Sequence, residues 1–252
     1  MSKPAFLSLA LLLAACSAVS ADLAIVREHY PLGDAHAVSL VQYCATSPDH
    51  QVLLYHPHEN ETTAKHTALT AIGARGRGCL LALEHNGRRR ITFDTIDGQA
   101  DFDPNRIYTA AGRAATLARS GNTGTAATEI TADFAEHLLN RPLNTPFIVA
   151  MHNNTDGGTD IHSYQSGLLG SDSAEVFVAP AHDPDDYFYT ISPQAFAFFK
   201  ARGFNAVLQN NAQVRDDGSL SVYAARHGIG YINVEAQYGH RDEQAEMLRA
   251  VF

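Results

Sequence analysis

A short apolar segment, residues 52–55, runs directly into a cluster of histidines and carboxylates. His56 and Glu59 are three residues apart across a proline-containing turn, a spacing that can direct an imidazole and a carboxylate at one metal ion. Zn²⁺ accepts this mixture of nitrogen and oxygen ligands. We therefore predict that His56 and Glu59 bind zinc, with His58 as an alternative to His56 and Glu61 as an alternative to Glu59.

Two later apolar segments also end in residues that can bind a metal or carry a proton. Residues 146–151 lead into His152, and residues 231–234 lead into Glu235. A catalytic zinc ion needs three protein ligands, an open position for water and a carboxylate that takes the water's proton. The sequence therefore predicts His152 as the third zinc ligand and Glu235 as the general base and acid.

A fourth segment, residues 102–109, contains Asn105 and Arg106. A guanidinium group can hold a substrate carboxylate through two hydrogen bonds, or stabilise an oxyanion. An ion pair of Arg106 with Asp101 or Asp103 explains the arginine equally well. We predict Asn105 and Arg106 as substrate-binding residues, and Arg106 also as a catalytic residue.

Strand and helix patterns alternate around these segments. Continuous apolar runs are typical of strands covered on both faces, so the sequence predicts a single α/β domain with a mixed, largely parallel sheet flanked by helices. Ligands bind at the carboxyl ends of strands in such sheets, where the candidate residues lie. A turn at 84–87 predicts a hairpin between strands at 80–83 and 90–93. Residues 88–90 read as a solvated arginine turn, and 153–186 as long loops. The predicted helices cover residues 61–72, 110–117, 127–139, 194–202 and 221–227.

Together, these motifs resemble the zinc carboxypeptidases and their relatives, the succinylglutamate desuccinylase and aspartoacylase group. The resemblance, over about residues 50 to 240, implies a zinc-peptidase-like fold and hydrolysis of an amide or peptide bond. It also implies that His56, Glu59 and His152 bind zinc. Glu235 would be the general base, and Asn105 and Arg106 would hold a substrate carboxylate. Tyr164 and Tyr238 are the candidates for the family's active-site tyrosine. The matching segments are, in chain order, His56-Pro57-His58-Glu59, Asp103-Pro104-Asn105-Arg106-Ile107-Tyr108, His152 and Glu235.

Two alternatives remain open at this point. Residues 234–239 also resemble the end of the zinc-dependent N-acetylmuramoyl-L-alanine amidases. Those enzymes space their first histidine and glutamate ligands by more than three residues, which favours the carboxypeptidase-like interpretation. A non-catalytic exported protein that binds a metal or an acidic ligand is the alternative from another class.

The first residues of the chain predict export. Lys3 and the apolar run at 5–15 are typical of a secretory signal peptide, so we expect a signal within residues 1–21 and a zinc hydrolase-like domain over 22–252. Cleavage before Cys16 at a lipobox and cleavage after Ala21 are the two options. The expected location is the periplasm of a bacterial cell envelope, or its membrane through a lipid on Cys16. Peptidoglycan stem peptides would then be within reach.

Export also affects the cysteines that remain after cleavage. In an oxidising compartment two cysteines in one domain commonly pair. We therefore predict a Cys44–Cys79 disulfide, with two buried free thiols as the alternative.

Composition limits the classes of partner. The chain has 252 residues, of which 18 are Lys or Arg and 27 are Asp or Glu, giving a formal net charge of −9. Nucleic-acid binding needs clustered cations, so this balance argues against it. We expect the partner to be a peptide or acyl-amino-acid substrate with a carboxylate, and membrane contact only through a lipid anchor.

Overall fold

A mixed nine-stranded β-sheet runs through the centre of the molecule. The structure is a computed structural model that describes residues 22–33, 35–47 and 51–252. The predicted signal peptide, with both of its cleavage sites, lies outside the described residues. The strands are β1 (Ala24–Leu32), β2 (His36–Cys44), β3 (Val52–His56), β4 (Cys79–Glu84), β5 (Ile91–Thr95), β6 (Gly98–Phe102), β7 (Phe147–Asn154), β8 (Ser173–Phe177), β9 (Tyr187–Thr190), β10 (Ala206–Gln209) and β11 (Gly230–Gln237).

Strands and helices alternate along most of the chain. A short 3-10 helix at Ile161–Tyr164 follows β7. No described helix is long and apolar enough to cross a lipid bilayer. The α-helices are α1 (Thr62–Arg75), α2 (Ala110–Ser120), α3 (Thr125–Asn140), α4 (Gly167–Asp172), α5 (Pro193–Ala201), α6 (Leu220–His227) and α7 (Arg241–Val251).

The sheet has a parallel centre and antiparallel edges. Its strand order is β1-β2-β4-β3-β7-β11-β9-β10-β8. The neighbours β4, β3, β7 and β11 are parallel to one another. Antiparallel pairing adds β1 and β2 on one side and β9 on the other. The predicted fold class, a single α/β domain with a mixed sheet, is confirmed.

Apolar cores lie on both faces of this sheet. Successive side chains of a strand point to opposite faces. Leu53 and Tyr55 of β3 therefore enter the core that contains Phe134 of α3, whereas Leu54 enters the core that contains Ile72 of α1. Because both faces are covered, the central strands are largely apolar. Apart from Asn233 in β11, their polar residues lie towards the carboxyl ends of the strands.

Two sequence predictions about elements need correction. Residues 80–83 and 90–93 do not form a hairpin, because β4 pairs with β2 and β3 in the main sheet while β5 pairs with β6 in a separate two-stranded sheet. A strand buried on both faces needs hydrogen-bond partners at both edges. Residues 153–186 are not loops throughout, since they include α4 and β8. The hairpin β1-β2 and helix α7 were not predicted.

Cys44 and Cys79 form a disulfide, as predicted. They are directly opposite each other in the antiparallel pair β2-β4. The bond closes a chain separation of 35 residues and so ties the outer hairpin to the parallel centre.

The carboxyl ends of β3, β7 and β11 meet at one edge of the sheet. In the parallel pair β7-β11, His152 and Glu235 are register partners. The chain leaves β3 at His56 and enters α1 at Thr62, so the intervening turn lies at the same edge. The fold thereby brings three predicted segments to one place.

Candidate active site

Two imidazoles and one carboxylate converge beyond the ends of β3 and β7. The Nδ1 atom of His58 lies 2.8 Å from Oε1 of Glu61, and Nδ1 of His152 lies 2.9 Å from Oε2 of the same residue. The two Nδ1 atoms are 3.1 Å apart. All three residues are buried, and their candidate ligand atoms lie within 4.8 Å of one another.

The local fold explains this convergence. The backbone N–H of Glu61 donates to the carbonyl of His58 at 2.9 Å, closing a turn between β3 and α1. Glu61 occupies the position immediately before α1. The backbone N–H of Asn153 donates to Oε2 of Glu61 at 3.2 Å, which connects the turn to β7.

This donor set fits a divalent metal ion. Nε2 of His58 donates to Oδ1 of Asp103 at 2.8 Å, which leaves the lone pair of Nδ1 directed towards Glu61 and His152. Carboxylates commonly orient metal-binding histidines in this way. Two facing Nδ1 atoms need a proton or a cation between them, and two histidines with one glutamate are a known catalytic zinc set. His58, Glu61 and His152 could therefore hold the metal.

The predicted ligands His56 and Glu59 do not join this group, and the structure corrects the motif by two residues. His56 lies at the end of β3, where its Nε2 donates to the carbonyl of Glu61 at 2.8 Å. Oε2 of Glu59 accepts hydrogen bonds from three backbone N–H groups of residues 85–87. Both side chains are thus committed to backbone partners. His152 is in the position expected.

Burial and neighbouring charges shift the pKa values of this group in opposite directions. Burial lowers the pKa of His58, but the carboxylates of Glu61 and Asp103 outweigh it and raise that pKa above its usual value. Burial alone would raise the pKa of Glu61, yet the charges of His58 and His152 hold it well below its usual range. Burial lowers the pKa of His56 to about 4, so this histidine is neutral at pH 7.

A cavity of about 290 Å³ opens on one side of the group. Glu235 lines it together with Glu61 and His152. Burial, followed by the negative charge of Glu61, raises the pKa of Glu235 to about 8, while Nδ2 of Asn233 donates to its Oε2 at 3.1 Å. A carboxyl with a pKa in this range can both accept and return a proton near neutral pH.

Asn105 and Arg106 line the same cavity. Their role in binding substrate stays a prediction. Arg106 forms an ion pair with Asp217, whose Oδ2 lies 3.3 Å from Nε, and not with Asp101 or Asp103. The amide side chain of Asn105 accepts a hydrogen bond from the N–H of Leu220 at 3.2 Å. The guanidinium therefore lines the cavity while it is paired with Asp217, and the charge of Asp103 also acts on it.

Sequence reasoning missed two residues at this site. Nη1 of Arg89 donates to Oε1 of Glu61 at 2.6 Å, and Nε of Arg89 lies 3.3 Å from Oδ2 of Asp103. Arg89 belongs to the run of arginines that was predicted to be a solvated turn. Asp103 could have been found from its place beside the Asn-Arg pair.

The two candidate tyrosines are in different surroundings. Tyr164 lines the cavity, whereas Tyr238 is 60% exposed and is not part of the cavity wall. Burial raises the pKa of Tyr164 to about 12, so its hydroxyl keeps its proton at neutral pH. Tyr164 is the candidate that the geometry supports.

The chain is similar in structure to several solved proteins. A murein-tripeptide amidase from Escherichia coli O157 is 16% identical over 87% of this chain and 93% of its own, with a TM-score of 0.45. A succinylglutamate desuccinylase/aspartoacylase from Rhodobacter sphaeroides is 15% identical over 94% and 67%, with a TM-score of 0.48. Thrombin activatable fibrinolysis inhibitor is 10% identical over 90% and 69%, with a TM-score of 0.49.

These neighbours include the desuccinylase and aspartoacylase group that the sequence resembles. No protein-family profile matches the chain, and no curated protein matches it in sequence. At such low identity the likeness does not carry the activity of those proteins to this chain.

Proposed function

We propose that this protein is a zinc-dependent hydrolase that cleaves an amide or peptide bond next to a carboxylate. The observation that supports this proposal most directly is the convergence of His58, Glu61 and His152 beside Glu235 in one cavity. Three ligands leave a fourth position for water, which distinguishes a catalytic zinc site from a closed structural one.

His58, Glu61 and His152 would hold the zinc ion, and Asp103 would keep His58 in the required tautomer. A bound zinc ion lowers the pKa of its water to about 7 and polarises the substrate carbonyl. Side chains of the protein would carry out proton transfer, substrate binding and stabilisation of the oxyanion.

Glu235 would move the proton. It lies on the strand next to His152 and faces the cavity, so it can take a proton from the attacking water and pass it to the leaving amine. Asn105 and Arg106 would hold the substrate carboxylate. Arg89, which contacts Glu61, would share with Arg106 the stabilisation of the oxyanion.

The predicted export signal suggests the substrate class. In the cell envelope, peptidoglycan stem peptides are amides rich in free carboxylates, and they are our first candidates. An N-acetylmuramoyl-L-alanine amidase activity would use the same residue roles on a different bond. A non-catalytic metal-binding protein would need no base, and the raised pKa of Glu235 in the cavity favours the enzyme over it.

The decisive experiment compares the wild type with Glu235→Gln. We expect both proteins, purified without chelators, to contain about one zinc ion per chain, and only the wild type to hydrolyse stem peptides and acyl-amino acids. The rate of the variant should fall by about 10²-fold or more, since general acid–base catalysis contributes that much. Absence of zinc after reconstitution, or full activity of Glu235→Gln, would contradict the proposal.

A further inference from the structure

Glu59, which the spacing placed among the metal ligands, has an unusual set of partners. Its Oε2 atom accepts hydrogen bonds from three successive backbone N–H groups: His85 at 2.6 Å, Asn86 at 2.8 Å and Gly87 at 2.7 Å. Three N–H groups can point at one oxygen only if the backbone curls around it. Gly87 has φ +74°, a conformation that favours glycine, and completes this curl.

The same backbone segment delivers Arg89 to the site. We name residues 85–89 the arginine loop, which follows the end of β4. Arg89 lies two residues beyond the last N–H bound by Glu59. Its guanidinium contacts Oε1 of Glu61 at 2.6 Å and lies 3.3 Å from Oδ2 of Asp103.

The side chain of Arg89 is only partly buried. Its side chain is 46% exposed, so packing does little to restrict its rotamers. A long, mobile side chain loses entropy when it is held in one place, and fixing the backbone from which it extends lowers that cost. The bonds from Glu59 supply this fixation, because they hold the backbone of the arginine loop directly before Arg89.

We propose that Glu59 is a positioning residue that holds the arginine loop so that the guanidinium of Arg89 faces the cavity. Glu59 lies between His58 and Glu61 in the chain, so one turn would place two of the three metal ligands and, through Glu59, the cation that faces the substrate carbonyl. The kinetic consequence rests on the proposed function, whereas the positioning itself does not.

A double-mutant cycle tests whether Glu59 acts through Arg89. The proteins are the zinc-loaded wild type, Glu59→Ala, Arg89→Ala and the double variant, and the measurements are kcat, KM and zinc affinity by chelator competition. We expect Glu59→Ala to lower kcat about 10-fold, Arg89→Ala about 10²-fold, and Glu59→Ala to cost less than about twofold once Arg89 is absent. The zinc affinity of Glu59→Ala should stay within about threefold of the wild-type value, because Glu59 bonds none of the three ligand side chains.

Two further variants control for general damage. Glu59→Gln keeps an acceptor oxygen of the same reach, and we expect it to restore most of the activity lost in Glu59→Ala. Glu84→Gln removes a nearby carboxylate that pairs with Lys65 and Arg27 and lies outside the cavity. We expect Glu84→Gln to lower stability without changing kcat.

A measurement without substrate separates this proposal from the proposed function. In the wild type, the N–H groups of residues 85–87 should be protected from hydrogen exchange, and the Nε–H of Arg89 should give a resolved NMR signal. Both should be lost in Glu59→Ala and retained in Glu84→Gln. If the wild type hydrolyses nothing but these signals behave as expected, the proposed function fails and the positioning stands. Three results would each overturn the positioning role of Glu59. These are an equal loss of kcat from Glu59→Ala whether or not Arg89 is present, a loss of zinc affinity in Glu59→Ala as large as its loss of kcat, and an unchanged Arg89 signal in Glu59→Ala.

Discussion

At the scale of single residues, two overlapping motifs of the same form compete for the metal. His56 and Glu59 have the same three-residue spacing as His58 and Glu61. Spacing therefore cannot choose between them. The choice depends on how the turn between β3 and α1 folds, because this turn brings His58 and Glu61 to the end of β7 and directs Glu59 to the backbone of residues 85–87. The sequence predicted the place of the group, its residue types and the presence of His152 in it, but it put the other two members two positions too early. The zinc-binding role of His152 stays a prediction.

The corrected register leads to a direct prediction about metal binding. His58→Ala and Glu61→Gln should each lower zinc affinity by about 10²-fold or more, since each removes one of three ligands. His56→Gln keeps a side-chain donor for the carbonyl of Glu61 and should bind zinc nearly as the wild type does. Isothermal titration with a competing chelator measures the three affinities. Tight binding by His58→Ala together with weak binding by His56→Gln would restore the original assignment.

The sequence could not show which residues from distant segments contact the metal-binding group. Arg89 and Asp103 are 14 residues apart, and both reach the group formed by His58 and Glu61. A run of arginines at a turn has no periodicity that separates a solvated side chain from one directed inwards. Only the pairing of β5 with β6 brings the two segments together.

At the scale of elements, apolar runs identified the parallel centre well. The predicted strands at 52–55, 80–83, 146–151 and 231–234 all lie within observed strands or overlap them. The β1-β2 hairpin was missed because β1 is mostly exposed and has three consecutive polar residues, 27–29, in place of an alternating pattern with one buried face. Strand pairing was also beyond reach, since β4 and β5 are adjacent in sequence and lie in different sheets.

The disulfide between β2 and β4 gives a prediction at this scale. Cys44→Ser with Cys79→Ser should lower the free energy of unfolding by about 3–4 kcal/mol, because the unfolded chain regains the entropy of an open loop. Urea denaturation of the variant against the oxidised wild type measures the difference. Alkylation of the wild type without reductant should add no mass, and two labelled thiols would contradict the bond.

At the scale of the whole molecule, a buried carboxyl makes stability depend on pH. Folding raises the pKa of Glu235 from 4.5 to about 8. The folded protein therefore binds this proton more tightly than the unfolded chain does. The resulting stabilisation is complete below about pH 4.5 and is lost as the pH rises through about 8.

The direction in which stability changes with pH can be checked in the metal-free protein. The free energy of unfolding of the wild type, relative to Glu235→Gln, should fall steadily between about pH 5 and pH 8, because the variant has no proton to lose at this position. Urea titrations of both proteins in chelator at several pH values give the difference. A difference that is constant across this range would show that the pKa of Glu235 is not raised by folding.

The pairing of β7 with β11 also limits how this protein can change over evolutionary time. His152 and Glu235 face each other across that pair, and each is fixed by its count from the start of its strand. Inserting a single residue earlier in β11 would turn every following side chain to the opposite face, and inserting two would displace Glu235 by about 7 Å. Insertions and deletions in relatives that keep the activity should therefore fall in the connections before and after these strands, and the strands themselves should keep their lengths.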